Sequence, residues 1–193
     1  MADLTFDPNG HIYKVNGVIV PSVTQVIAAA GLSDFSSVPA SVLDAAIQFG
    51  NALHKAIELK CKGTLDEESV AEELKPYIAQ WDQFCMDFTF FTGQQEYRAY
   101  NDAMRVGYCI DHIGHLTDDT ALVDVKSGSP KPADVIQMCA YGYLYPAKRI
   151  LLLYLEKDRY KVIEIKGADR RRGVNIFIAA LQLYNFRKEC HLL

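Results

Sequence analysis

The chain has 193 residues, of which half are hydrophobic and 23% charged, and its formal net charge at pH 7 is −4. A chain of that size and balance can bury a real core as one domain of ordinary size. No apolar run is long enough to cross a membrane, the acidic opening Met1-Ala2-Asp3 is unlike a secretory leader, and the five scattered cysteines (61, 85, 109, 139, 190) include no Cys-x-x-Cys pair. These features speak against membrane, secreted, zinc and iron–sulfur classes and for reduced, mostly buried thiols in a cytosol.

In chain order, residues 6–20 read as a β-hairpin, with Asn16-Gly17 between apolar runs as a type I′ turn signal. Pro21 ends it. Ser22 and Gln25 then form a capping box for a helix that stops at Gly31. Residues 32–38 read as a polar loop. Ser41 is expected to cap a helix running to about Lys62, with Phe49, Leu53 and Ile57 as its buried stripe and Gly50 and His54 on an adjacent face. Gly63 ends it. Asp66 is expected to cap a short acidic helix over 67–74. Pro76 opens a helix to about Phe91, with Tyr77, Trp81, Phe84 and Phe88 at helical spacing as a core stripe.

Residues 94–101 read as the first core strand and carry Glu96. A second strand over about 104–112 ends on Asp111, and turn residues at 117–120 lead into Ala121-Leu122-Val123-Asp124-Val125-Lys126. Side chains alternate along a strand, so Asp124 and Lys126 share one face and Val123 and Val125 the other. By the same rule His112 faces away from Asp111, and His115 is left to solvent. Ser127-Gly128-Ser129-Pro130-Lys131-Pro132 reads as a loop in which Ser127 and Lys131 either hold phosphates or form a flexible linker. A helix over 133–145 puts Gln137 and Tyr141 on one face. Residues 150–155 form a central strand, 160–165 its partner, and a last helix starts near Ala168. Arg170, Arg171 and Arg172 lie at the start of that helix, where positive charge opposes the helix dipole. They serve either phosphate contact or a solvated face.

The hairpin brings Asp111 and Asp124 together, with the Lys126 ammonium beside them. Two close carboxylates repel unless a cation lies between them. Mg²⁺ takes oxygen ligands, usually one or two carboxylates with substrate phosphate, and lowers the pKa of a bound water. On Asp-x-Lys alone, a solvated surface pair is the simpler reading.

Asp111 followed after 13 residues (124 − 111) by Asp124-Val125-Lys126 resembles the PD-(D/E)XK nuclease superfamily in its RecB-like and phage-exonuclease branch. Gly107-x-x-x-Asp111, Gln137-x-x-x-Tyr141 and Gly50-x-x-x-His54 resemble three further motifs of that branch, in the same order, and the run Pro21-Ser22-Val23-Thr24 resembles the start of phage-type members. The resemblance covers about half the chain. It implies a restriction-endonuclease-like α/β fold, a mixed central β-sheet flanked by helices, here with an N-terminal β-hairpin. The expected organisation is one domain over 1–193, with hairpin and helix in 1–38 and the catalytic core in 39–193.

The implied activity is divalent-metal-dependent hydrolysis of DNA phosphodiesters, exonuclease before endonuclease, in recombination or repair. His54, Asp111, Asp124 and the Val125 carbonyl would hold Mg²⁺ or Mn²⁺. Lys126 would position water and stabilise the transition state. Gln137 and Tyr141 would support the site, and Glu96 would support it or join the metal site, unless it is an exposed strand carboxylate. The four-cysteine spacing of an iron–sulfur cluster carried by some relatives is missing. DNA is the expected partner, with room for a homo-oligomer and for a single-strand annealing or recombination protein, in the cytoplasm of a bacterium or phage-infected cell. A net acidic charge weighs mildly against a DNA binder, although a local basic patch suffices for phosphate. The alternatives are a catalytically idle DNA-binding or assembly subunit on the same fold, and a nuclease acting on RNA or nucleotides.

Overall fold

The computed structural model describes residues 3–8, 10–34 and 36–192. The opening Met1-Ala2 and part of the 32–38 loop, at Phe35, fall outside that set.

Three short strands, β1 (Leu4–Asp7), β2 (Ile12–Val15) and β3 (Val18–Val20), form an antiparallel N-terminal sheet. The β2–β3 turn is Asn16-Gly17 with φ of 50° and 79°, both positive as a type I′ turn requires. The sequence reading expected only this hairpin; β1 adds a third strand on the outside of β2. Helix α1 (Val23–Ala29) begins at the expected capping box: Gln25 N–H donates to Ser22 Oγ at 3.1 Å, and Ser22 N–H donates to Gln25 Oε1 at 2.9 Å.

Helix α2 (Ala40–Cys61) starts one residue before Ser41, with Pro39 at its cap and no side-chain cap bond. Pro39 already carries the fixed φ that opens a helix, which leaves Ser41 within the first turn. The segment expected as an acidic helix over 67–74 is helical only as a 3₁₀ turn, Glu67–Ser69, capped by Asp66. Helix α3 (Lys75–Phe88) ends three residues earlier than expected because Thr89 turns left-handed at φ 49°. The chain then enters strand β4 (Phe90–Asn101), which sends Phe90 into the core against Trp81 and Phe84.

Strand β5 (Val106–Leu116) and strand β6 (Asp119–Lys126) form a hairpin across Thr117-Asp118, and both run further than expected at that turn. Helix α4 (Pro132–Leu144), strand β7 (Arg149–Leu155), strand β8 (Tyr160–Glu164) and helix α5 (Gly167–Glu189) complete the chain. The central sheet has the order β4-β5-β6-β7-β8, with β6 and β7 parallel and the other pairs antiparallel.

Helices cover both faces of this sheet, so β7 is apolar on both sides from Ile150 to Leu155. Ile150, Leu152 and Tyr154 pack with α1, α4 and α5, while Leu151, Leu153 and Leu155 pack with α2 and α3. This is the mixed, helix-flanked sheet with an N-terminal β-hairpin that a restriction-endonuclease-like chain was expected to form.

The N-terminal sheet docks on β5 at Gly107. A Cβ there would lie 2.6 Å from Tyr13 Cγ, and Tyr13 is fully buried. Beside it, Gly107 N–H donates to Pro21 O at 2.8 Å.

Candidate functional site

The site lies where two strands part. The β5–β6 ladder pairs Leu116 with Asp119 and runs back to His112 with Val123, where it stops. One step further the same register would set Asp111 opposite Asp124. Instead β6 continues paired with β7, through Asp124–Leu152 and Lys126–Tyr154, and β5 continues paired with β4. The parting strands leave the Val125 N–H without a strand partner, and Asp111 Oδ2 accepts it at 2.9 Å. The fork is thus closed by one of the two carboxylates.

Asp111 is reached from helix α2 by His54, whose Nδ1 lies 3.4 Å from Asp111 Oδ2. Glu96 comes from β4. Its φ is +49°, a left-handed conformation rarely adopted by a non-glycine residue inside a strand, and one that costs about 1–3 kcal/mol where it occurs. One donor atom from each of His54, Glu96 and Asp111 lies within 4.8 Å of the others, so these three could hold a metal ion. Sequence reasoning gave Glu96 either a supporting or metal-site place or that of an exposed strand carboxylate. Its backbone conformation, which no local pattern announces, turns it toward His54 and Asp111.

Asp124 is fully buried, and among the described residues neither of its carboxylate oxygens has a hydrogen bond of good geometry. Lys126 Nζ lies 2.7 Å from Asp124 Oδ2, as alternation along β6 requires for two residues on one face. Burial pushes the Asp124 carboxyl up to about 7, against the pull of Lys126, and the negative Asp111 nearby adds to the rise. Burial also works to raise Asp111, but His54, Lys126 and the Val125 N–H together hold it below the ordinary carboxylate range. For Lys126, burial opposes the charge, yet the two aspartates outweigh it and keep the ammonium protonated.

This donor set suits a hard divalent cation. Oxygen donors dominate, one imidazole completes the group, and a buried carboxylate beside it lacks the hydrogen bonds that buried polar atoms ordinarily have.

On α4, Gln137 Nε2 donates to Tyr141 Oη at 2.8 Å. Tyr141 is buried, which raises its phenol well above the usual range, and the Asp124 charge adds to the rise. A cleft of about 1060 Å³ opens over the cluster. Its walls come from α2 (Asn51, His54, Glu58), α4 (Asp134, Gln137, Tyr141), β4 and β5 (Glu96, Arg98, Asp111) and the N-terminal sheet (Phe6, His11). Among the described residues Gly50 has nothing within 4 Å of where a Cβ would stand, so its smallness relieves no contact with them.

Other expected residues lie apart from this cluster. Lys131 stands at the start of α4, where its N–H donates to Asp134 Oδ2 at 3.1 Å, and Ser127 lies in the loop before it. Arg170 is spent on structure: its Nη2 donates to Gly142 O at 2.9 Å and Ala147 O at 3.1 Å, tying α5 to the end of α4. Arg171 and Arg172 are exposed on α5. His112 is buried with its ring 4.5 Å from Trp81, and burial lowers its pKa to about 4, so it stays neutral near pH 7. His115 is exposed. Sequence reasoning missed Arg98, which lines the cleft and pairs with Glu96; its position two residues after Glu96 on one strand was the available signal.

No protein-family model matches the chain, and no curated protein matches it. Among solved structures it is similar to LHK-Exo in complex with dAMP, at 15% identity over 90% of this chain and 95% of that one, with a TM-score of 0.45. It is also similar to the alkaline exonuclease LHK-Exo from Laribacter hongkongensis, at 17% identity over 89% and 94%, with a TM-score of 0.42. A third similar structure is SSO0001, at 14% identity over 69% and 74%, with a TM-score of 0.38. Function therefore has to be read from the site itself.

Proposed function

We propose that the chain is a divalent-metal-dependent deoxyribonuclease of the PD-(D/E)XK superfamily, RecB-like and phage-exonuclease branch, acting in the cytoplasm on DNA ends during recombination or repair. The observation that carries this reading is the strand fork. It joins a His54–Glu96–Asp111 donor group to the buried Asp124, whose carboxylate has no partner but Lys126 among the described residues. His54, Asp111, Glu96 and Asp124, with the Val125 carbonyl, are the groups that would hold Mg²⁺ or Mn²⁺. When bound, such an ion supplies a polarised phosphoryl oxygen and a water of lowered pKa.

The remaining work falls to the chain's own side chains. Lys126, held as an ammonium by its aspartates, has no lone pair with which to accept a proton. It acts as a donor, orienting water and stabilising charge that develops on the phosphate. Asp111 is held ionised and keeps the fork closed on Val125 N–H. Gln137 and Tyr141 brace the wall of the cleft from α4. Ser127, Lys131, Arg171 and Arg172 are candidates for phosphate contact away from the cluster.

The test is incubation of end-labelled linear DNA and closed-circular DNA with Mg²⁺, Mn²⁺ or EDTA, beside Asp111→Asn. Asn keeps an oxygen for the Val125 N–H but loses the charge. Metal-dependent loss of the linear form alone, abolished in the variant, is expected. Nicked circles would make the enzyme an endonuclease, and binding without cleavage under every condition would refute the catalytic reading.

A further inference from the structure

Arg98 stands at a junction in the cleft. Its Nη2 lies 2.9 Å from Glu96 Oε2, and its guanidinium sits 4.8 Å from the centroid of the Phe6 ring. Phe6 in turn packs against Tyr13 and His11, with ring centroids 4.8 and 5.1 Å apart. The N-terminal sheet therefore supports Arg98 from one side, while Glu96, a member of the donor group, holds it from the other.

We infer that Arg98 is a phosphate-binding residue whose availability is coupled to metal occupancy, an inference that rests on the metal-dependent reading above. Glu96 can neutralise the guanidinium or serve a divalent cation, and doing both weakens each interaction. Were His54, Glu96 and Asp111 to hold a cation, the Glu96 carboxylate would be shared with it and the neighbouring guanidinium would be repelled. Arg98 then keeps its place through Phe6, since a cation over a ring face needs no carboxylate. Its N–H donors are freed into a cleft that would take a phosphodiester, the ligand that a guanidinium fork matches best. The same Glu96–Arg98 pair shields the guanidinium when no metal is present, so nucleic acid is held weakly until the site is loaded.

The experiment measures two affinities in wild type, Arg98→Gln and Arg98→Lys: Mn²⁺ alone, by calorimetry, and a ten-nucleotide phosphorothioate DNA strand in the presence of Mn²⁺, by fluorescence anisotropy. The inference requires opposite signs in Arg98→Gln. Mn²⁺ binds about threefold to fivefold more tightly, because its competitor for Glu96 is gone and an exposed ion pair is worth no more than about that factor. The strand binds about tenfold more weakly, because a charge-assisted contact is lost. Arg98→Lys restores only part of the strand affinity, because an ammonium keeps the charge but not the fork. Arg98 is more than a third exposed, so the melting temperature should hold in both variants.

Weakening of both ligands would mean a merely structural role. Tighter metal with unchanged strand affinity would leave Arg98 a plain competitor, and unchanged metal affinity would remove the coupling; each of these overturns the inference alone. If wild type binds neither Mn²⁺ nor the strand, the metal-dependent reading falls and takes this one with it.

Discussion

Lys126→Ala should do more than silence the site. It should make the Asp124 contribution to stability pH-dependent in a range where that contribution is level in the wild type. Asp124 is fully buried, and its ion pair with Lys126 at 2.7 Å is the interaction that offsets its charge. Removing one partner of a buried pair costs about 3–5 kcal/mol, because the other charge is left uncompensated. Each kcal/mol moves the melting temperature of a chain this long by about 2–4 °C, so a fall of roughly 6–20 °C is expected at pH 8.

The sign with pH follows from proton binding. The folded pKa of Asp124 is raised to about 7 from an ordinary 3.8. Between those values the native state holds a proton that the unfolded chain has released. Wild-type stability from this group is therefore lost as pH rises toward 7, and above that it changes no further. Without the ammonium the folded pKa rises again, so the loss continues above pH 7 at up to about 1.4 kcal/mol per pH unit. Asp111, held low, is ionised throughout that range, and His112, lowered to about 4, is neutral in both states there. Buried thiols destabilise both proteins alike as pH climbs, so the difference between the two curves is the signal.

The assay is thermal unfolding from pH 7 to 9 in EDTA for wild type, Lys126→Ala and Lys126→Ala/Asp124→Asn. The single variant should diverge downward from wild type, and the double variant should run parallel to it. Parallel curves for the single variant, or a double variant that keeps the slope, would refute the account of Asp124 as a buried charge held by one partner.

Gly107→Ala should destabilise the protein by about 1–3 kcal/mol, since the added methyl meets the immobile Tyr13 ring at 2.6 Å; an unchanged denaturant midpoint would contradict that packing. Glu96→Gly should relieve a left-handed backbone, leaving the melting temperature equal or higher while Mn²⁺ binding weakens; a clear loss of stability would show that the carboxylate, rather than the backbone, dominates there. Mn²⁺ should raise the wild-type melting temperature in a dose-dependent way through mass action, and His54→Ala should blunt that rise, as differential scanning fluorimetry would show. Asp111→Asn should lower cleavage by about 100-fold or more while the chain remains folded, judged by near-ultraviolet circular dichroism.

Much of the fold was written in short stretches. Asn16-Gly17 set a turn because both residues tolerate positive φ, and Ser22 with Gln25 set a helix start because each satisfies a backbone group of the other. Strand alternation alone put Lys126 beside Asp124, and helical spacing put Gln137 beside Tyr141. These signals are legible because the partners are at most four residues apart, and their geometry is that of one regular element.

The parts the tertiary structure decided are those whose partners lie far away along the chain. Phe90 leaves the helical pattern for a strand because Trp81 and Phe84 offer it a core position that a longer helix would have denied. The fork between β5 and β6 exists because β6 finds a parallel neighbour in β7 and β5 stays with its antiparallel neighbour β4. His54 meets Asp111 across 57 residues (111 − 54), and Glu96 turns toward both through a backbone conformation that side-chain periodicity cannot encode. Arg98 looked like an ordinary strand residue until the N-terminal sheet brought Phe6 beneath it. Sequence names the chemical groups and their local phase. Long-range pairing and packing set which of them meet, because those contacts depend on the free energy of the whole assembled core rather than on neighbours in the chain.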